Sequence, residues 1–332
     1  MSITKVAKVA GVSHATVSNV INNRPSVSPK TAAAVRRAMD EIGYTPRPVG
    51  RRPGRRPRSA DGVFTGRVSI VWPLSTGYRN PVGVGIMQGI GQELDGLGLD
   101  LNVAFADARN VGQVVGRADG LLALGFMERE VIGRFRDKPV VWVGSHGPLD
   151  WGDRVRCDHH QVARDAVAYL VDHGCPSVVY VNRDTPHPAF AQRGAAFRLE
   201  CERLDVPMRV VEPGPSGEGE AGRAAEAAAT LEAMGLGRAG LFVACDRHLA
   251  ALDRACRLGG HAVLDERPVI GCDNDLSALS GLTRRPATFD LRPEQLGRLA
   301  VRRLAERMRG EGGLGQVTIT QSAALIDPGA DG

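Results

Sequence analysis

The 332-residue chain, 43% hydrophobic and 24% charged, is long enough for about two domains and has an ordinary globular composition. No run nears the roughly 18 apolar residues that span a bilayer, and MSITKVAKVAG has no apolar signal region, so cytoplasmic residence is expected. The net charge of +5 is unevenly placed: residues 1–67 hold 13 Lys or Arg against three acids, the remainder 29 against 34, as expected when one end meets a polyanion.

Val6, Val9 and Ala10 recur at i, i+3, i+4, which predicts a short helix over residues 4–10 that Gly11 ends. Ser13 offers an N-cap hydroxyl to a second helix with Val17, Val20 and Ile21 inward. A third helix follows Ser28, with Pro29 at its first position, Val35, Ala38, Met39 and Ile42 as its stripe, and Gly43 as its stop. Three short helices with a tight Gly turn between the first two make a helix-turn-helix unit. On the second helix His14, Ala15, Ser18, Asn19 and Asn22 share the remaining face, which is short, polar and almost uncharged. Such a face suits base edges, where Asn bonds adenine bidentately and Ala touches a thymine methyl; Thr16 and Ser18 suit phosphates. Spacing alone fits equally well a solvated face on a small three-helix bundle.

The stretch from Ile3 to Pro46, with AGVS-x-ATVS, VS-x-x-T and GY-x-P, resembles the headpiece of the LacI/GalR (lactose-repressor) family. The resemblance implies base contacts from His14, Ala15 and Asn19, and backbone contacts from Ser2, Thr16, Ser18, Asn22 and Ser28. Asn19 stands where the family commonly has arginine, which implies an adenine contact in place of a guanine one.

Arg47, Arg51, Arg52, Arg55, Arg56 and Arg58 share twelve residues with Pro48, Pro53, Pro57, Gly50 and Gly54, a composition that excludes a stable helix. The family's hinge helix carries a minor-groove leucine whose place here falls on about Pro53. The arm instead resembles an AT-hook that lies in a narrow A·T minor groove; the alternative is a solvated basic linker.

Beyond Asp61-Gly62, apolar runs beginning at Val68, Leu99, Gly120, Pro139, Ser177, Met208, Gly240 and Pro268 alternate with helical stretches. Continuous apolar runs predict parallel strands covered on both faces, hence two doubly wound parallel-sheet lobes with ligand beyond the carboxyl ends of the strands. Asp246 and Asp273 close two of these runs, and Arg193 is expected to open the helix after a loop that follows a third. Charged forks of this kind suit a polyol or similar polar ligand, although each acid is also placed to cap a helix.

Here too NP at Asn80, ADG at Ala118, QRG-x-x-F at Gln192, ACD at Ala244 and VIGCDN at Val269 resemble LacI/GalR motifs. They imply an α/β periplasmic-binding-protein-like type I domain. The implied effector residues are Asn80, Phe190, Arg193, Asp246 and Asp273, with Trp72 a further candidate, and the surface from Val82 to Leu97 would pair two chains as a homodimer. The expected division is 1–46 headpiece, 47–66 arm and 67–332 body. Its first lobe is about 67–156 with 287–313 and its second about 157–286 with 314–332, crossings falling near Cys157, 283–288 and 312–316.

An enzyme finds no support: G-x-S-x-G, a Walker loop and H-E-x-x-H are missing, and Gly83, Gly85 and Gly89 miss dinucleotide spacing by one residue. His159-His160 opens a helix after Asp158 and reads as a cap and surface pair rather than a catalytic or metal dyad. Six separated cysteines read as reduced buried thiols, with no metal and no cofactor expected. The function that follows is a sequence-specific transcriptional regulator, by default a repressor, whose operator affinity responds to a sugar-like effector. The alternative is an architectural or constitutive DNA binder with a non-functional pocket.

Overall fold

The structure is a computed structural model that describes residues 3–21, 27–44, 66–73, 81–107, 109–125, 127, 129–145, 151–182, 187–212, 219–260, 264, 267–311, 313 and 315–329. The chain divides into two compact units, Met1–Arg55 and Arg56–Gly332.

The first unit holds α1 (Ile3–Ala10), α2 (His14–Ile21) and α3 (Pro29–Glu41). Gly11 turns the chain with φ +64°, a conformation that costs a residue without Cβ little. Ser13 Oγ then accepts from Thr16 N–H at 3.1 Å and Ser28 Oγ from Thr31 N–H at 3.2 Å, so both following helices are capped by hydroxyls. Val6, Ala7, Val17, Val20, Val35, Ala38 and Met39 form the core. Val9, expected inward, is instead 44% exposed. Because α1 packs against both α2 and α3, its buried sector centres on Val6 and Ala7 and turns Val9 out.

In the second unit all eight apolar runs form strands. The first lobe contains β1 (Arg67–Pro73), α4 (Pro81–Leu97), β2 (Asp100–Ala106), α5 (Val111–Gly116), β3 (Gly120–Leu124), α6 (Arg129–Gly133), β4 (Val140–Val143) and β5 (Asp153–Cys157). The second contains α7 (His159–Asp172), β6 (Val178–Val181), α8 (Pro188–Leu204), β7 (Met208–Val211), α9 (Gly219–Ala233), β8 (Gly240–Val243), α10 (Asp246–Leu258), β9 (Val269–Ile270) and α11 (Leu276–Leu279). Then come β10 (Thr288–Asp290), α12 (Pro293–Met308), β11 (Thr318–Gln321) and β12 (Ala324–Ile326). The first sheet runs β11-β5-β4-β3-β1-β2 and the second β7-β6-β8-β9, both parallel, so the strand order reverses between β1 and β3 and between β6 and β8. At such reversals the loops leave on opposite faces and open a crevice.

Two of the expected crossings move. β10 pairs with β12, and Ala287 just before it bridges to Ile270, so the second-lobe side continues to Asp290; β11 pairs with β5, so the first lobe keeps residues 318–321. The chain therefore crosses after Cys157, between β10 and α12, and between β11 and β12.

Three glycines of α4, Gly83, Gly85 and Gly89, serve packing. A Cβ on Gly89 would lie 1.9 Å from the Glu294 carbonyl oxygen, and one on Gly297 of α12 would lie 2.2 Å from that of Ile86, so the two helices touch backbone to backbone. Deeper in the first lobe the Asp153 carboxylate, 1% exposed, accepts from Arg303 Nε and Arg307 Nε at 2.6 Å each and from Val317 N–H at 2.9 Å. Burial opposes ionisation, but these donors prevail and hold its carboxyl below the usual range.

Candidate functional site

Between the lobes, at the carboxyl ends of the strands, lies a cavity of about 200 Å3. Trp72 lies one residue before β1 ends at Pro73, Leu124 ends β3 with Gly125 after it, and Val143 ends β4 with Ser145 two residues on, so the topological reversal of the first sheet supplies one wall. Gly83 makes room for the indole: a Cβ there would stand 2.8 Å from Trp72 Cη2. The opposite wall carries His159, His187, Phe190, Arg193 and Asp273.

Arg193 is 2% exposed, and each arm of its guanidinium has a partner. One amino group donates to the Ala244 carbonyl, Nε donates to His159 Nδ1 at 3.3 Å, and the other amino group stands 3.6 Å from Asp273 Oδ1. The guanidinium also lies 5.5 Å from the Phe190 ring centroid. Phe190 is fixed in turn: its carbonyl accepts from Tyr180 O–H at 2.7 Å, and its ring stacks on His187 at 4.2 Å. Asp273 reaches the cleft through a backbone at φ +108°, followed by Asn274 at φ +50°, conformations that non-glycine residues adopt at a cost of order 1–3 kcal/mol.

Because arginine only donates, His159 Nδ1 must accept, and its proton sits on Nε2, which donates to Ser145 Oγ at 2.9 Å. Burial, with Arg193 next, pushes the His159 pKa well down, consistent with a neutral imidazole. Arg193, His159 and Ser145 thus form a hydrogen-bond chain from the second lobe to the first. Sequence reading places His159 at the surface because it begins a helix; it is 5% exposed. Burial and then Arg193 lower His187 to about 4, burial raises Asp273 to about 6 against the pull of Arg193, and burial raises the Cys157 thiol to about 11. All six cysteines are free and buried.

The structure thus joins Phe190, Arg193, Asp273 and Trp72 in one cleft. It does not bring Asp246 there. The Asp246 carboxylate is 0% exposed and accepts from Thr288 Oγ at 2.9 Å and from Asp275 N–H at 2.9 Å, tying α10 to the start of β10. Asn80 lies outside the described residues.

On the headpiece, burial of Val17 and Val20 leaves His14 exposed and Asn19 and Thr16 partly so. Ala15 and Ser18 lie within α2 between them. The Ser28 hydroxyl, expected at a DNA backbone, serves as the cap of α3. Ser2, Asn22 and the six arm arginines lie outside the described residues.

A helix-turn-helix unit followed by a two-lobed parallel-sheet domain with a cleft between its lobes defines a ligand-responsive DNA-binding protein. Residues 2–47 match the model of bacterial regulatory proteins of the lacI family, and residues 167–327 match the periplasmic binding protein-like domain. The chain belongs to the LacI family of transcriptional regulators. It is 24% identical to catabolite control protein A of Priestia megaterium, over 94% of this chain and 93% of that one. It is 26% identical to the HTH-type transcriptional regulator CelR of Thermobifida fusca, over 93% and 92%. Among solved structures, the transcriptional regulator CelR–cellobiose complex superposes with a TM-score of 0.68 at 24% identity, covering 98% of each chain. The lac repressor dimer bound to operator and the anti-inducer ONPF gives 0.67 at 20% identity, again over 98% of each. No helix among the described residues is long and apolar enough to cross a membrane.

Proposed function

We propose that the chain is a cytoplasmic repressor, without catalytic activity, that binds a near-palindromic operator as a homodimer and releases it when a small polar, sugar-like molecule enters the cleft. The observation that carries this reading is the buried Arg193–Asp273 pair, held 3.6 Å apart and facing the space between two lobes. An ion pair that loose leaves a donor and an acceptor for a hydroxyl to bridge. A cavity of about 200 Å3 admits one ring. Asn80 is assigned to the cover of the cleft.

In the headpiece, residues 1–46, His14, Ala15 and Asn19 read base edges, while Ser2, Thr16, Ser18, Asn22 and Ser28 hold phosphates. The arm, residues 47–66, lays its arginines along an A·T minor groove. The body from residue 67 pairs through α4 and the edge strand β2, whose Val84, Leu97, Leu101 and Val103 are 40–47% exposed. Two headpieces then meet two half-sites.

The test is selection from a random duplex library, followed by titration of the selected duplex against a metabolite panel. One compound class should weaken operator binding with a coupling of about 1–3 kcal/mol. Selection of no duplex over random competitor refutes the reading, and a duplex whose affinity no metabolite shifts makes the protein a constitutive binder.

A further inference from the structure

The cleft has a neighbouring space at Phe190. A second chamber of about 240 Å3 shares His187, Phe190 and Asp273 with it, and is walled further by Glu220 and Arg223 of α9 and by Arg247 and His248 of α10. Each chamber alone falls below the roughly 300–1,000 Å3 usual for ligand clefts, and a ligand that reached around Phe190 would fill both.

The chemistry of the two chambers differs. The first is walled mostly by apolar groups such as Trp72, Val82, Ile86 and Leu124. In the second, no hydrogen bond or ion pair among the described residues engages the guanidinium of Arg223 or Arg247, whereas Arg257, Arg302, Arg303 and Arg307 are all committed to carboxylates. Both stand near the N-termini of their helices, where the backbone adds partial positive charge. Among the described residues, three guanidiniums, Arg193, Arg223 and Arg247, surround the shared wall against two carboxylates, Glu220 and Asp273, and Asp273 already faces Arg193 and feels the charge of Arg247. The imbalance among these described groups is one positive charge.

We infer that the effector is an acidic single-ring molecule whose ring fills the apolar chamber and whose short arm carries a carboxylate or phosphate to Arg223 and Arg247. This rests on the cleft being the effector site. Guanidinium forks bind both oxyanions through paired, charge-assisted hydrogen bonds.

The test uses the full chain and four probes: inorganic phosphate, glucose, glucuronate and glucose 6-phosphate. Thermal unfolding and calorimetry are run on wild type, on the double variant Arg223→Gln/Arg247→Gln, and on Arg284→Gln/Arg285→Gln, whose arginines line a separate cavity of the second lobe. Phosphate should raise Tm in wild type and in the Arg284/Arg285 variant, and lose on the order of tenfold in affinity in the Arg223/Arg247 variant. An acidic ring should bind on the order of tenfold more tightly than glucose, and the better of the two acidic rings identifies the arm. Equal phosphate affinity in wild type and the Arg223/Arg247 variant overturns the inference, as does glucose binding as tightly as both acids. Loss of phosphate binding in that variant without binding of any ring upholds the anion subsite and counts against the cleft as an effector site. Glucose binding that is equal in wild type and the Arg223/Arg247 variant, with phosphate affinity also equal in both, does the reverse.

Discussion

Asp246 is fully buried with its carboxylate between Thr288 and the Asp275 amide, and burial, with Asp273 as a second contribution, raises its pKa from 3.8 to about 8. The folded protein therefore keeps a proton that the unfolded chain releases above pH 4. A raised acid contributes stability that is complete below the unfolded pKa and is lost as pH climbs toward the folded one. Asp273, raised to about 6, acts in the same direction but only up to that pH. His159 and His187 are lowered and act oppositely, below the unfolded histidine value near 6.5. Between pH 6.5 and 8 Asp246 thus dominates, and at about 1.4 kcal/mol per pH unit the body should lose about 2 kcal/mol across that window. Asp246→Asn keeps an acceptor for the Asp275 amide and offers its own N–H to Thr288, so the variant should unfold with a flat pH dependence and be the more stable protein at pH 8. Urea titrations followed by tryptophan fluorescence read this directly, because Trp72, Trp142 and Trp151 all lie in the body. A wild-type stability that is level or rising from pH 6.5 to 8 would refute the reasoning.

Gly89→Ala drives a methyl into the Glu294 carbonyl, and should cost at least the 1–3 kcal/mol typical of overpacking in the same urea titration; Gly91→Ala, which meets open space, should gain up to about 1 kcal/mol. Asp153→Ala strands two guanidiniums, of which Arg303 is 8% exposed, and should cost about 3–5 kcal/mol by chemical denaturation. Asn19→Ala should relax discrimination at one base pair per half-site by about 1–3 kcal/mol, read by repeating the duplex selection. Deleting residues 47–58 should flatten the dependence of operator affinity on salt by close to one unit for each phosphate that the arm neutralises, read from binding isotherms across a salt series.

The strands legible in the sequence are those whose apolar runs are buried on both faces, such as GLLAL in β3. β5 reads DRVRC and β11 reads TITQ; charges and an exposed edge remove the apolar signal, and with β11 goes the correct third crossing. Asp273 is legible because a charge at the end of an apolar run has few structural reasons to be there, whereas Arg193, inside α8, is legible through the QRG-x-x-F motif that carries it. Asp246 meets the same criterion, yet its carboxylate turns inward to Thr288, a partner 42 residues away that no local pattern reveals. His159 is hidden for the opposite reason: a helix-start histidine looks solvated until α8 lays Arg193 against it.

The Ser145–His159–Arg193 chain makes one imidazole answerable to two tasks. It steadies the guanidinium proposed to hold the effector, and it ties the halves of the body together. On that proposed reading, selection for a new effector at this position also resets how loudly the effector is heard, so taste and sensitivity evolve as a single trait.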